Sequence, residues 1–325
     1  MVNLAPINWH WQNRHDPGFL EPETAGNTPR RGNGLSDLLA ILIGGLKFGA
    51  IYALTAIGVV VIHKATRTVN FAQGALVMLG AFGGFLIVVI YHLPYWVAYL
   101  VVPPVIGLVA AGLELVILRP LRRADLFTVV IATVFLGIAI SEGFRLIYKA
   151  ELLAVPATFR GPPLVLGDVI LTQDTLWVIA GALALGGVAI LLFSQARLGI
   201  SMRAMASNPR GAQLCGFSVD RVYLTAWFLG GALAGLAGLF IAPAKGVSAD
   251  LSIQVISAAF VAAVIGGFDS LVGAIVGGLL LGLTETVAAF YVSSAFKNSV
   301  SFLLLFVVLL WRPQGLFPGE KTRDV

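Results

Sequence analysis

Charge is what this chain has least of. Lys, Arg, Asp and Glu together make up 11% of its 325 residues, whereas a soluble globular domain carries about a quarter. So few charges cannot clothe a surface in water, and with 58% apolar residues and a mean hydropathy of +0.92 an ordinary soluble domain is excluded. Cysteine is equally scarce. Cys215 stands alone, which excludes an intrachain disulfide framework and leaves little for a metal or redox centre. The histidines, His10, His15, His63 and His92, show no ligand spacing. Also missing are a GxSxG nucleophile elbow and a GxxxxGK[ST] phosphate loop, so no catalytic residue, metal or cofactor is expected, and work driven by ATP needs a partner chain. The net charge of +5 does not point to nucleic acid, because the basic residues gather between apolar runs and near the C-terminus. There they read as topology signals.

What fills the chain is hydrocarbon-compatible sequence. Runs near the roughly 20 residues that cross a bilayer core fall at about 38–62, 74–92, 96–118, 126–147, 174–194, 222–243, 271–291 and 298–311, with a shorter piece at 253–267. The expected fold is an all-α polytopic bundle of eight or nine spans in the lipid bilayer, with broken or re-entrant segments. Residues 1–37, rich in Pro, Asn and Gly, read as an irregular tail without the pattern of a cleavable leader. Residues 38–318 form the membrane domain, and 319–325 a short cytoplasmic tail. Three basic segments, "RPLRRAD", the stretch from Arg197 to Arg221 and "WRPQGLFPGEKTRDV", belong in the cytoplasm by the positive-inside rule. Counting spans back from Arg119 then puts the N-terminal tail outside, although the charges around the first span are evenly divided.

Glycine occurs 37 times, often at helical spacing, as in Gly230, Gly231, Gly235 and Gly238 or Gly273, Gly277, Gly278 and Gly282. Such stripes are packing faces, since small residues let helix backbones approach in lipid. Among ionisable residues within spans, Glu142 and Arg145 are spaced as a local ion pair, and Glu114 and Lys47 are expected to reach the interface. Glu285, in "LLLGLTETVAAF", is either an interhelical hydrogen-bonding residue or part of a cavity wall.

Two polar, glycine-bearing interruptions are candidates for a translocation path. "TVNFAQGALVMLGAFGG" places Asn70, Phe71, Gln73 and Gly74 at the start of a span, and "AAVIGGFDSLVGAIVGG" breaks an apolar run at Gly266, Gly267 and Ser270. Broken helices meet polar solutes inside membranes through helix termini and unwound backbone. The second interruption reads equally well as a tight turn.

The segment 195–221 contains "SMRAMASNPRGAQLCGFSVDRV". Asn208 suits an N-cap, Pro209 the first helical position and Gly216 the C-terminal stop. The pattern predicts a short stiff helix in a cytoplasmic loop, with Ala212, Leu214 and Cys215 open to a partner and Arg203 and Arg210 open to acids.

Taken together, "VNFAQG" with "MLGAF", "RPLR", "LGISMRAMASNPRGAQLCGFSVDRV", "LGGALAGLAG", "AAVIGGFDSLVGAIVGGLLLGLTE" and "LLWRPQGLF" resemble, in order and spacing across residues 38–318, the permease subunits of branched-chain amino-acid ABC importers. Gln73 stands where that family's pattern has histidine. The resemblance implies a second related permease subunit, two cytoplasmic ATP-binding subunits and a periplasmic solute-binding protein in a bacterial inner membrane. It also implies that Arg203, Asn208, Pro209, Ala212 and Gly216 form the element that couples to an ATPase. The implied solute is a branched-chain amino acid. Urea or a short amide is the alternative; an ion-coupled carrier is disfavoured by the few membrane acids and the capped basic loop, and a membrane enzyme by the lack of a catalytic constellation.

Overall fold

The computed structural model describes residues 34–148, 152–159, 161–166, 169–195, 197–293 and 296–317. Of the expected tails, residues 1–33 of 1–37 and all of 319–325 lie outside them. The first helix, α1 (Gly34–Thr66), starts before the expected boundary at residue 38, with Asp37 in its first turn, where the helix dipole favours an acid. There follow α2 (Gln73–Phe85), prolonged by a π turn at Leu86–Ile90, and α3 (Tyr95–Leu113), prolonged by a π turn at Glu114–Leu118 and the short α4 (Arg119–Leu121). Next come α5 (Leu126–Tyr148), a small antiparallel hairpin of β1 (Leu164–Leu166) and β2 (Val169–Leu171), and α6 (Gln173–Gln195). Then α7 (Arg197–Ser207), α8 (Pro209–Leu214), α9 (Val219–Lys245), α10 (Asp250–Gly266), α11 (Leu271–Tyr291) and α12 (Lys297–Trp311) complete the described chain. Seven of the helical segments are long and apolar enough to cross a membrane, and α10 and part of α12 are shorter apolar helices. The protein is therefore a multi-pass membrane protein.

At the centre stands α1. From Ala50 to Ile62 its apolar side chains are at most 2% exposed, as expected of a helix that is apolar on every side. Around it the glycine stripes act as read from the sequence. A β-carbon at Gly278 would fall 2.5 Å from the Ala53 nitrogen, and one at Gly282 only 2.3 Å from the Gly49 nitrogen, so α11 lies backbone-to-backbone on α1. A β-carbon at Gly80 would meet Gly235 at 2.6 Å, which seats α2 on α9 in the same way. By contrast α5 and α12 turn Phe135, Ile138, Phe302 and Phe306 outward, side chains that hydrocarbon accepts.

The two ends of the bundle differ in charge. At one end Arg67, just past α1, bonds Asp269 in the α10–α11 turn at 3.0 Å and the Ala206 carbonyl of α7 at 3.4 Å. This end also carries Arg119, Arg122, Arg203, Arg210 and Arg221, which marks it as cytoplasmic. There Asp125 caps α5: it accepts from the Thr128 hydroxyl at 2.6 Å and the Thr128 N–H at 3.3 Å. Those bonds hold its carboxyl below the usual range. The opposite end is closed by the chain between α5 and α6, where Leu153 bridges Val247 and the Tyr95 hydroxyl donates to the Pro156 carbonyl at 2.6 Å.

Because α11 and α1 touch through backbone, a side chain at Gly278 has nowhere to go. Gly278→Leu is expected to destabilise the purified protein by about 1–3 kcal/mol or more, seen as a fall in its melting temperature in detergent. Gly187→Leu, at a position open within 4 Å, should leave that temperature nearly unchanged. Equal melting of the two variants would show that the glycine stripe is not a packing face.

Candidate functional site

The cytoplasmic segment α7–α8 is built from local rules. Asn208 is extended at φ −151° and ψ 98°, and its Oδ1 accepts the Gly211 N–H at 2.9 Å, satisfying one donor at the helix start. Pro209 follows at the first helical position, where its missing N–H costs nothing. At the other end Phe217 N–H donates to the Ala212 carbonyl at 3.0 Å and Gly216 N–H to the Gln213 carbonyl at 2.9 Å. Gly216 itself has φ +87°. This is a Schellman stop, and a glycine takes its left-handed position without a β-carbon clash. Ser218 then caps α9.

Packing fixes this element to the bundle. Met202 and Met205 are 1% and 2% exposed. Arg203 donates to the carbonyls of Phe193 at 2.7 Å and Ser194 at 3.4 Å, so it caps the end of α6. Arg203 itself stays exposed, so this bond adds an anchoring role to the reading of it as open to acids, since the last carbonyls of a helix attract a nearby guanidinium. The reading of Ala212 as open to a partner is corrected. It is buried, 4% exposed, because the Schellman stop folds Phe217 back toward it. What the tip offers outward is Arg210, Gln213, Cys215 and above all Leu214, 90% exposed.

Beneath the segment lies a charge cluster that sequence reasoning missed. Arg122 pairs with Glu114 and with Asp220, the second residue of α9, while Arg119 pairs with the same Asp220. The Arg122 guanidinium also lies 4.7 Å from the Tyr223 ring centre. Glu114 is 1% exposed, buried beside the cytoplasmic arginines. A buried carboxylate needs a cation, and Arg122 supplies it from eight residues on. Lys47 pairs at 3.0 Å with Asp174 at the start of α6, and Asp174 also accepts the Thr158 N–H at 3.1 Å.

The eight residues read as a translocation path do not meet in one place. Asn70, Phe71, Gln73 and Gly74 come together at the start of α2. The Ala72 N–H donates to Asn70 Oδ1 at 3.0 Å, and Gln73 Nε2 donates to the Gly230 carbonyl at 2.9 Å. The Phe71 N–H donates to Thr133 Oγ1 at 3.2 Å. A β-carbon at Gly58 would touch Gln73 Nε2 at 2.3 Å, and Gly58 is eight residues inside the cytoplasmic end of α1, about 12 Å at the helical rise. The chain thus turns back after α1, and α2 begins alongside that helix, inside its cytoplasmic end. Asn70 and Gln73 are wholly buried, and Phe71 alone of the four is half open.

Gly266, Gly267 and Ser270 lie elsewhere, in the cytoplasmic turn between α10 and α11. Gly267 has φ +101°, Ser270 Oγ accepts the Gly273 N–H at 2.9 Å, and the segment after α12 seals the turn through Leu316 N–H to Ile265 O at 2.8 Å. The broken-helix reading of this stretch is replaced by the tight turn. Glu285 accepts from the Tyr52 hydroxyl at 3.0 Å and the Ser301 hydroxyl at 2.8 Å. It ties α1, α11 and α12 together and is 3% exposed, which settles it as an interhelical hydrogen-bonding residue. Glu142 and Arg145 pair at 3.1 Å as their spacing predicts.

Comparison with known proteins agrees with this layout. Residues 41–309 match the family model of the branched-chain amino acid transport system permease component. This chain belongs to that family. It is 29% identical over 301 residues to the high-affinity branched-chain amino acid transport system permease protein LivH of Escherichia coli K12, covering 87% of this chain and 96% of that one. It is 29% identical to BraD of Pseudomonas aeruginosa, covering 87% and 97%. LivM of E. coli K12 matches over 132 residues at 29% identity, 39% of this chain and 30% of that one.

In this permease Cys215 is both the single cysteine and exposed at the tip beside Leu214. A membrane-impermeant maleimide should label it in inside-out vesicles and leave it unlabelled in intact cells. The reverse pattern would put α8 on the wrong side of the membrane.

Proposed function

We propose that this permease is the membrane subunit of an ATP-driven importer that moves leucine, isoleucine and valine inward across the bacterial inner membrane. It works with a second related permease subunit, two cytoplasmic ATP-binding subunits and a periplasmic solute-binding protein, and those partners, not this chain, bind and hydrolyse ATP. The solute class rests on the family and on relatives named for branched-chain amino acids. The mechanism rests on one observation, the doubly capped α8 held on a packed base with Leu214 presented to the cytoplasm.

A cap at each end makes α8 a stiff element, and stiffness is what a coupling helix requires. Asn208, Pro209 and Gly216 define its shape, Arg203 and Ala212 anchor it, and Leu214 with Arg210 and Gln213 forms the surface that an ATP-binding subunit grips. Closure of the ATPase pair pushes this element and moves the helices to which it is tied, a rigid-body mode of switching. Inside the membrane, the start of α2 around Asn70, Phe71, Gln73 and Gly74 borders the path. Gly266, Gly267, Ser270 and Glu285 serve the frame instead.

The test is uptake by proteoliposomes holding the complete transporter. Labelled leucine, isoleucine and valine should accumulate only with ATP, and urea should not compete. Leu214→Asp should lower that uptake about tenfold, since burying a leucine is worth roughly 1.5–3 kcal/mol, while the permease still assembles in the membrane. Undiminished uptake by Leu214→Asp would remove α8 as the contact, and ATP-dependent uptake of urea without leucine would replace the substrate.

A further inference from the structure

Polar side chains on the outside of a membrane helix call for an account, because lipid does not satisfy them. Along α5 the exposed Ile131, Val134, Phe135 and Ile138 suit hydrocarbon. Toward the outer end the pattern changes: the side chains of Glu142 and Arg145 are 55% and 39% exposed. Across from them Asp250 opens α10 with its side chain 64% exposed, and Arg145 Nη2 lies 2.8 Å from its Oδ1. A fourth charge, Lys245, ends α9 and donates to Gln254 Oε1 at 3.3 Å. Exposed pairs of this kind contribute little to stability, so stability does not explain four charges gathered here.

The open face of α10 continues the polar pattern inward. Gln254 is exposed and Ser257 half-buried one turn on. Next comes Phe260, also half-buried, whose ring centre lies 5.4 Å from Phe71 and 5.6 Å from Phe268, and Phe268 lies 5.1 Å from His63. From outside to cytoplasm the face therefore runs through charges, an amide beside the exposed Ile253, a hydroxyl and then aromatic rings. It passes the start of α2.

We propose that the outer mouth of the translocation path is this cluster between α5 and α10, and that a zwitterionic amino acid enters it and descends the open face of α10 past Gln254 and Ser257. Glu142, Asp250, Arg145 and Lys245 sum to no net charge. Such a mixed set favours a solute carrying both signs over an ion carrying one, because the carboxylate takes a place at Arg145 while the ammonium takes one at Glu142 or Asp250. The rings of Phe71 and Phe260 then meet the apolar side chain. The opposite wall is the second permease subunit. This assignment rests on the reading of the chain as an amino-acid permease, and its geometry is tested separately from that reading.

In cells making the whole transporter, Gln254→Cys and Ser257→Cys should react with a membrane-impermeant thiol reagent applied outside, which cannot reach Cys215. Reaction should lower leucine uptake about tenfold, as should Arg145→Gln, the scale of one lost charge-assisted hydrogen bond. Arg145→Lys should retain most of the uptake. Ile138→Cys, on the lipid side, should not react. Labelling acts on an assembled transporter, so a folding defect in Arg145→Gln leaves the test intact. If Gln254→Cys and Ser257→Cys are as inert as Ile138→Cys, the face meets lipid and the proposal falls. If labelling blocks uptake of a different solute while leucine is never transported, the path stands and the zwitterion assignment falls with the amino-acid function.

Discussion

Everything in this bundle depends on how closely its helix backbones approach. Lipid gives apolar helices no reason to leave it for one another, so association must come from packing and hydrogen bonds. Glycine provides both the room and the contact. With α11 on α1 at Gly278 and Gly282, and α2 on α9 at Gly80, four helices become one block in which no pair slides without opening a void. Dense cores respond to force by moving between discrete arrangements instead of deforming smoothly. A permease built this way can be driven from one point.

The same constraint decides where polar groups go. Within the block several are paired across the chain: Lys47 with Asp174, Glu285 with Tyr52 and Ser301, Gln73 with the Gly230 carbonyl. These bonds join helices, so a polar residue that costs energy in the membrane also fixes the register of its neighbours. Gln73 illustrates the point. Where the family pattern has histidine, its carboxamide accepts from Asn70 at 3.3 Å and donates to a carbonyl of α9, a pair of bonds that needs a donor and an acceptor but no titrating group. The exposed polarity is pushed to the edges, onto α8 in the cytoplasm and onto the outer ends of α5 and α10.

How much of this was legible follows from sequence distance. The caps of α8, the Glu142–Arg145 pair and the glycine stripes are written within a few residues, so composition and spacing reveal them. Ala212 was misjudged because a short helix does not announce which of its faces turns inward until Phe217 is in place. The pairings of Glu114 and Lys47 were not legible because their partners, Arg122 and Asp174, are revealed only by folding, the first across a π turn and the second 127 positions away. One signal was available: Asp220, lodged among arginines at the head of an apolar span, is a charge that such a span does not need. The turn at Gly266–Ser270 looked like a broken helix because both use the same residues, and only the segment after α12, sealing it from below, tells them apart.

These connections also define a line of force. A push on α8 reaches α9 directly through Ser218, and it reaches α3 through Asp220, whose partners Arg119 and Arg122 end that helix. Between them α3 and α9 share another backbone contact: a β-carbon at Gly231 would lie 2.8 Å from the Ile106 carbonyl. They therefore move together, and α2, seated on α9 at Gly235, must follow. The mobile edge is at α5, which is the span least buried in the block and meets α2 through Thr133 and Phe71. On the proposed reading, displacement of α2 changes the gap between α5 and α10, where the polar face lies, and a motor acting on the cytoplasmic tip opens or closes a path it never touches, the glycine contacts keeping the motion from being lost on the way.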